Sequence, residues 1–331
     1  MGSRHPPDPS FVLRGVRDSV TCLNFNPPKT KNEKIKYLAG GTQSGRVCIW
    51  NLKSKNVCYN WEAHSSSVTW LKFLKFSQLC TSGRNECVSL WDLYDNTARL
   101  KTKIPVEDYL GFSRCDITDL GNQQLLCVPG PHQEFVSIWE LSSSIKICHL
   151  GPENEKGYGS VMQCKWVECG KRLYVLVCYE NGSLLLWDWP NCKILSSTEF
   201  NDNPISLEYD SINKKIICGT ASEKVLSYIL DEVNSTIVLD KEWNLTNPGV
   251  GCVKSRPDGK IYALGGWDYR IRLFSWKKHK PLAVLSYHKK SIECLDFSQY
   301  TVETFDPGYL LAAGSSDCTV SLWNVFNENF S

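Results

Sequence analysis

The stretch YLLAAGSSDCTVSLWN, residues 309–324, contains two short apolar runs separated by Ser-Ser-Asp-Cys, and the second run ends in a tryptophan. Short runs bounded by such polar residues are typical of β-strands joined by a tight turn. A third run, IECLDF at 292–297, precedes them. The stretch therefore predicts three consecutive strands, the last of which ends at Trp323.

The same strand ending recurs along the whole chain. Comparable apolar runs close on an aromatic residue at Trp50, Trp91, Trp139, Trp187, Tyr228, Phe274 and Trp323, at intervals of 41, 48, 48, 41, 46 and 49 residues. A period of about 40–50 residues indicates a repeat unit of four short strands, one blade of a β-propeller. The spacing therefore predicts seven such units.

The last unit lacks a fourth strand, because only eight residues follow Trp323. The run FVLRG, residues 11–15, is a strand without a repeat of its own, and its pairing with the last unit removes exposed sheet edges. The sequence thus predicts an all-β chain, a seven-bladed β-propeller closed by an N-terminal strand. We expect a single domain over residues 10–331 after a disordered segment, residues 1–9.

Charge and cysteine content exclude several classes of protein. The 331 residues contain 37 basic and 35 acidic side chains, so no chain-wide field favours direct binding of nucleic acid or a membrane. The 16 cysteines form no CxxC motif and most lie within apolar runs, where a reduced cysteine packs as a small hydrophobe. This pattern predicts a reducing compartment and no metal site.

The spacing of the repeats and their Trp-Asp, Trp-Asn and Trp-Glu endings resemble the WD-repeat family over essentially the whole chain. The resemblance implies that His, Ser or Thr, Asp and Trp of each full repeat hydrogen-bond in series, which satisfies buried imidazole and indole groups. The second repeat has Gly83 and Asn85 at the Ser/Thr and Asp positions. The expected structural network consists of His288, Ser315, Asp317 and Trp323 in the last repeat, with His64 and Trp91 in the second.

The pair Trp267-Asp268, in GGWDYRIRLF at 265–274, is out of register with the strand-ending tryptophans. Asp268 lies six residues before Phe274, as Asp317 lies six before Trp323, so Asp268 is the turn aspartate and Trp267 precedes it. Two interpretations of Trp267 stay open: an anchor for a partner protein, or a lid that lies flat over its neighbouring blade.

In WD-repeat propellers, the turns between second and third strands lie on a rim that commonly contacts partners. By resemblance, the residue before the turn position is a candidate contact, and Trp and Arg are enriched among residues that contribute binding energy. The candidate partner-binding residues are Trp267, Arg84, Gln43 and His132.

Several strings are more specific than the repeat signature: LTNPG at 245–249, RPDGKIYALGGWDYRIRLFSW at 256–276, PLAVLSYH at 281–288, LAAGSSD at 311–317 and the opening PPDPSFVLRG. They are similar to the guanine nucleotide-binding protein subunit beta-like protein 1 group, also known as the ASTRA-associated protein group. The resemblance implies a non-enzymatic scaffold in the cytoplasm and nucleus. Its partners would be the chaperone-linked assembly that matures and stabilises phosphatidylinositol-3-kinase-related kinases, and these client kinases.

Three other functions, those of an enzyme, a peptide reader and a G-protein subunit, are less favoured by the sequence than a scaffold. The chain contains no GxSxG, HExxH, Walker or GxGxxG motif, so neither catalytic residues nor a cofactor are expected. A peptide or histone-tail reader in a chromatin-associated complex is the alternative. A G-protein β-like signalling subunit is less favoured, because about ten Pro-rich residues precede the first strand, too few for a coiled coil, and no γ subunit is expected.

Overall fold

A computed structural model describes residues 7–28, 33–75, 77–106, 111, 113–130, 132–152, 157–170, 172–302, 304–305 and 308–327. Within these ranges the chain forms 28 strands, arranged in seven four-stranded sheets, and one 3-10 turn at Trp189–Asn191. The prediction of an all-β, seven-bladed WD-repeat β-propeller with an N-terminal strand in its last blade is confirmed.

The strands are numbered in chain order, and each sheet is called a blade. The first strand, β1, spans Phe11–Leu13. Blade 1 contains β2 (Val20–Phe25), β3 (Tyr37–Thr42), β4 (Arg46–Asn51) and β5 (Asn56–Glu62). Blade 2 contains β6 (Val68–Lys75), β7 (Gln78–Gly83), β8 (Val88–Tyr94) and β9 (Thr97–Ile104). Blade 3 contains β10 (Asp116–Leu120), β11 (Gln123–Pro129), β12 (Val136–Glu140) and β13 (Ile145–Leu150). Blade 4 contains β14 (Val161–Cys169), β15 (Arg172–Tyr179), β16 (Ser183–Asp188) and β17 (Lys193–Glu199). Blade 5 contains β18 (Pro204–Asp210), β19 (Lys215–Thr220), β20 (Lys224–Asp231) and β21 (Thr236–Asn244). Blade 6 contains β22 (Val250–Ser255), β23 (Ile261–Gly266), β24 (Arg270–Ser275) and β25 (Lys280–Ser286). Blade 7 contains β26 (Ile292–Phe297), β27 (Leu310–Ser315) and β28 (Val320–Asn324), and β1 is its fourth strand.

The N-terminal strand pairs antiparallel with β28, with Phe11 opposite Leu322 and Leu13 opposite Val320. The predicted strand, residues 11–15, is two residues too long. It ends at Leu13 because the chain turns at Gly15, whose φ of +102° lies in the region that glycine tolerates best. The carbonyl of Arg14 instead accepts a hydrogen bond of 2.8 Å from the Trp50 indole of blade 1.

The third strand of each blade contains its strand-ending aromatic residue, and its central residues are buried on both faces of the sheet, as in RVCIWN of β4. A strand buried on both faces reads as a continuous apolar run, which explains why these segments show so little alternation. Fourth strands such as β5 and β17 contain only exposed and partly exposed residues and mix polar with apolar side chains. The core consists of clusters between neighbouring blades, for example Leu13, Val20, Trp50 and Leu322.

By packing, the chain divides into two compact units. One consists of residues 1–83, 89–103 and 251–331, and the other of residues 84–88 and 104–250. That residues 10–331 form a single domain stays a prediction. The predicted disordered segment, residues 1–9, falls partly on residues 1–6, which lie outside the described residues; residues 7–9 form no strand.

Candidate functional site: side-chain networks and turn residues

The last blade contains a hydrogen-bonded series that starts at the indole of Trp323. Its Nε1–H donates to the Ser321 hydroxyl over 2.7 Å, and the same hydroxyl lies 2.7 Å from His288 Nε2. His288 Nδ1 lies 3.0 Å from an Asp317 carboxylate oxygen. The Trp323 and His288 rings are buried, so the series gives each of their nitrogens a partner that water would otherwise provide.

The proton positions in this series follow from its ends. The Trp323 indole can only donate, so the Ser321 oxygen accepts there, and the Asp317 carboxylate can only accept, so the hydrogen of the neutral imidazole is on Nδ1 and the Ser321 hydroxyl donates to Nε2. Nε2 is then the acceptor of a neutral imidazole, and Nδ1–H donates to Asp317. Burial lowers the pKa of His288 below its usual 6.5, although the Asp317 carboxylate opposes this shift. The ring is therefore neutral at pH 7.

Asp317 is the anchor of the turn between β27 and β28. Burial by itself raises the pKa of its carboxyl group, but hydrogen bonds from Thr319, from the Lys289 backbone N–H and from His288 outweigh burial and lower the pKa. The Lys289 N–H and the Thr319 hydroxyl lie 3.0 and 2.6 Å from the two carboxylate oxygens. One side chain thus joins the turn to the loop that precedes the blade.

The structure corrects the predicted network at one position, because Ser321 and not Ser315 joins His288 to Trp323. The Ser315 hydroxyl instead contacts backbone groups: it donates to the Lys290 carbonyl, in the loop before β26, and accepts the Asp317 N–H of the turn. The reason is strand alternation. Ser321 and Trp323 are two residues apart on β28 and share a face, and Ala313 lies directly opposite Ser321 on β27.

In the second blade a hydroxyl group also joins the histidine to the tryptophan, but this hydroxyl lies on the second strand of the blade. The Thr81 hydroxyl, on β7, lies 2.8 Å from His64 Nε2 and accepts a hydrogen bond of 2.9 Å from Trp91 Nε1. Gly83, predicted to stand at the Ser/Thr position, is instead in contact range of the His64 ring, where a Cβ would lie 2.5 Å from Nδ1. Thr81 precedes Trp91 by ten residues, as Ala313 precedes Trp323, so the hydroxyl can come from either of two paired strands.

Hydrogen bonds from the backbone of one inner strand to a side chain on the neighbouring inner strand form a second network. The sequence did not indicate this network. A side-chain carboxylate or amide oxygen accepts the main-chain N–H of the next blade: Asp296 from Phe25 over 2.8 Å, Asn24 from Phe73 over 2.9 Å, and Asp116 from Trp166 over 3.1 Å. Asp296 is buried and also forms an ion pair of 3.3 Å with Lys254. No local pattern reveals such contacts, because they depend on the relative register of two blades.

Blade 6 departs from the network, since Phe274 has no hydrogen-bonding group. Its turn aspartate, Asp268, forms a two-pronged ion pair with Arg272, with N–O distances of 2.9 and 2.5 Å. Both side chains are largely buried. A fork of this kind fixes the orientation of both groups and is stronger than a hydrogen bond between neutral partners. The turn that contains Trp267 therefore has a rigid base.

Trp267 is 45 % exposed, and one edge of its indole lies against Gly251 on β22. A Cβ at residue 251 would stand 3.3 Å from the indole nitrogen, so any larger residue there would crowd the ring. Tyr269, two residues on, is 50 % exposed and has a φ of +69°. The ring of Trp267 thus packs along one edge against its own blade and leaves nearly half its surface to solvent, and both interpretations of this residue stay predictions.

The other candidate contacts also lie in turns between second and third strands. Gln43 is exposed, and its backbone N–H donates to Ser19 over 3.0 Å. His132 is exposed and its ring packs edge-on against Phe135, with centroids 5.8 Å apart. Arg84 is half-buried. All four candidates stay predictions as partner contacts.

Among the described residues, no cluster of three or more His, Cys, Asp or Glu side chains is arranged to hold a metal ion. All sixteen cysteines are free thiols. No helix among the described residues is long and apolar enough to cross a membrane.

Seven blades with a His-hydroxyl-Trp connection in two of them define a WD-repeat β-propeller, a class of protein-interaction scaffold. The family described as WD domain, G-beta repeat, matches residues 55–92 and 279–324. The chain belongs to the family of guanine nucleotide-binding protein subunit beta-like protein 1: the mouse protein of that name is 36 % identical over 327 residues, which cover 97 % of each chain.

Two proteins named ASTRA-associated protein 1 are also similar over nearly the whole chain. The Schizosaccharomyces pombe protein is 26 % identical over 389 residues, covering 97 % of this chain and 99 % of its own. The Verticillium alfalfae protein is 23 % identical over 384 residues, covering 97 % and 93 %. These relatives belong to the group that the sequence strings indicated, so that resemblance is confirmed.

Proposed function

We propose that this chain is a non-catalytic scaffold that assists the co-chaperone-dependent maturation and stability of phosphatidylinositol-3-kinase-related kinases in the cytoplasm and nucleus. Its similarity along nearly its full length to proteins named for association with ASTRA supports membership in a multiprotein complex. Its partners in this proposal are the proteins of the chaperone-linked assembly and the client kinases.

The surface that we assign to a partner is the turn Trp267–Tyr269, because it combines exposure with rigidity. Trp267 and Tyr269 together expose two large aromatic side chains within three residues. The Asp268–Arg272 ion pair holds the turn beneath them, so ordering these rings on binding costs little conformational entropy. Rigid, half-exposed aromatic residues are the type of side chain that contributes most to protein interfaces. Further candidate partner contacts, ranked below Trp267, are Arg84, Gln43 and His132.

The test compares Trp267→Ala with a matched variant, Tyr94→Ala. Tyr94 is 55 % exposed and lies at the end of β8, at the opposite end of its blade from the turn that follows β7. Both substitutions remove an exposed aromatic ring, so their effects on folding should be similar. Each variant is expressed as a proximity-labelling fusion in cells depleted of the endogenous protein, and the labelled proteins and the levels of the kinases are measured.

We expect depletion to lower kinase protein levels, and we expect the wild type and Tyr94→Ala, but not Trp267→Ala, to restore them. Unchanged kinase levels after depletion would exclude the proposed role. Restored levels and an identical set of labelled proteins with Trp267→Ala would instead show that the indole is only a lid. Recovery of histone tails rather than kinases would favour the peptide-reader alternative, and co-purification of a γ subunit would favour a signalling role.

A further inference from the structure

Two thiols in the second compact unit, those of Cys148 and Cys192, lie against one carbonyl oxygen. Cys148 is on β13, the outer strand of blade 3, and Cys192 precedes β17, the outer strand of blade 4. Each sulfur lies 3.6 Å from the carbonyl oxygen of Trp189, so the two sulfurs are at most twice that distance apart.

The local backbone holds this arrangement in place. Cys192 caps the 3-10 turn Trp189–Asn191 in the left-handed region, with a φ of +52°, and its N–H donates to the Trp189 carbonyl over 3.3 Å. The Trp189 ring packs edge-on against Trp166, with centroids 5.8 Å apart. A non-glycine residue in this conformation is uncommon, and here it directs the Cys192 side chain toward the neighbouring blade.

The two thiols differ in their access to solvent. Cys192 is exposed, whereas Cys148 is half-buried. Burial, and secondarily the neighbouring Cys192 thiol, raise the pKa of Cys148 to about 12. Because the thiolate is the reactive form and must meet its reagent, Cys192 is the residue of the two that reacts first with a solute.

We propose that Cys148 and Cys192 are a reversible dithiol–disulfide pair that joins the outer strands of blades 3 and 4 under oxidising conditions. The oxidant is a low-molecular-weight disulfide such as oxidised glutathione. The Cys192 thiolate attacks one of its sulfurs, forms a mixed disulfide and releases one glutathione thiolate. Cys148, after losing its proton to water, attacks the Cys192 sulfur and releases the second glutathione.

The overall step is balanced: the protein loses two hydrogens and one glutathione disulfide becomes two glutathione thiols. In a reducing compartment the pair rests as two thiols, in agreement with the cysteine pattern of the sequence. The same two strands expose apolar side chains, Ile145 and Ile147 on β13 and Ile194 and Leu195 on β17. The Cys148–Cys192 disulfide would therefore fix the exposed apolar residues of β13 and β17 with respect to each other.

A second thiol pair provides an internal control. The Cys164 thiol donates a hydrogen bond of 3.5 Å to the Cys127 carbonyl, and the neighbouring Cys127 side chain and burial raise the pKa of Cys164 well above 9.0. Both residues are buried. Proximity alone would allow this pair to oxidise as readily as the first. Solvent access predicts that it stays reduced as long as the protein is folded.

The experiment incubates the folded full-length protein with increasing oxidised glutathione, blocks free thiols by alkylation, and digests with trypsin without reduction. Mass spectrometry then searches for a cross-link between the peptide of residues 147–156, which contains Cys148, and the peptide of residues 173–193, which contains Cys178 and Cys192. Fragmentation of the linked peptides assigns the bond to Cys192 or to Cys178. We expect this cross-link in the wild type, reversed by dithiothreitol. In Cys148→Ser the mixed disulfide on Cys192 should rise about tenfold or more, because the intramolecular attack is lost.

In Cys192→Ser we expect neither the cross-link nor glutathione on Cys148. The proposal is overturned if the wild type accumulates glutathione on Cys192 without forming the cross-link, or if Cys192→Ser takes up glutathione at Cys148 as fast as the wild type takes it up at Cys192. It is also overturned if Cys127 and Cys164 oxidise at the same glutathione concentration, since oxidation would then follow unfolding.

Discussion

Replacement of Thr81 by valine removes a single hydroxyl and leaves the shape of the side chain almost unchanged. That hydroxyl contacts both His64 Nε2 and Trp91 Nε1, at 2.8 and 2.9 Å, and Thr81 and both rings are buried. Leaving a buried polar group without its partner costs about 1–3 kcal/mol. With two ring nitrogens affected, we expect Thr81→Val to lower the free energy of unfolding by about 2–4 kcal/mol.

The matched control is Thr69→Val, which also removes one buried hydroxyl from blade 2. The Thr69 hydroxyl donates one hydrogen bond of 3.3 Å, to the Ser82 carbonyl. We expect this variant to lose about 1 kcal/mol, the usual net value of one hydrogen bond. Equilibrium urea unfolding, followed by tryptophan fluorescence, measures both variants at pH 7. Equal losses in the two variants would refute the reasoning, because the bridging position of Thr81 would then have no energetic effect.

Three further predictions concern blades 6 and 7. First, stability should fall as the pH drops from about 7 to about 5: the pKa of His288 is lower in the folded protein than in the unfolded chain, so the unfolded chain binds more protons in this range. In His288→Gln, the urea midpoint should depend less on pH than in the wild type, and an equal slope would show that other groups cause the loss. Second, Asp296→Ala leaves the buried N–H of Phe25 without its acceptor and should cost about 2–3 kcal/mol in urea unfolding, against about 1 kcal/mol for Asp296→Asn. Equal losses of stability in these two variants would show that the hydrogen bond from the Phe25 N–H to residue 296 does not stabilise the fold. Third, Arg256 is buried, pairs with Asp258 and donates to the Val325 and Phe326 carbonyls, so Arg256→Met should speed amide hydrogen exchange after β28. Unchanged exchange in residues 325–327 would contradict the view that Arg256 holds this segment in place.

The fold could be predicted because its main signals are local. The strand-ending aromatic residue recurs in every blade, and the run of apolar residues before it reflects a strand buried on both faces. The N-terminal strand could be assigned because an apolar run without a repeat of its own had to pair with a blade that lacked its fourth strand.

The network was predicted less well because its hydroxyl group has two equivalent sources. Ala313 and Ser321 lie opposite each other on paired strands, so a hydroxyl on either strand reaches the space between His288 and Trp323. The motif alone favours the second strand, where Ser315 lies two residues beyond the correct position. The serine two residues before the tryptophan was the available signal, since alternation places both on one face.

The inter-blade contacts could not be predicted from sequence. Asp296 accepts an N–H from Phe25, 271 residues away in the chain, and nothing near either residue indicates the other. The Cys148–Cys192 pair has the same character: two ordinary cysteines, 44 positions apart, meet at the carbonyl group of Trp189.

The pairing of β1 with β28 has a consequence for how the chain folds during its synthesis. Phe11 is made 311 residues before its partner Leu322, so β1 must wait for β28 while the strands of six blades are synthesised between them. Contacts so distant in the chain form slowly, because a very long loop must be closed. Until then β1 has no partner strand, and its open edge can pair with another chain. A nascent chain of this protein therefore has a long interval in which binding by a chaperone would prevent aggregation.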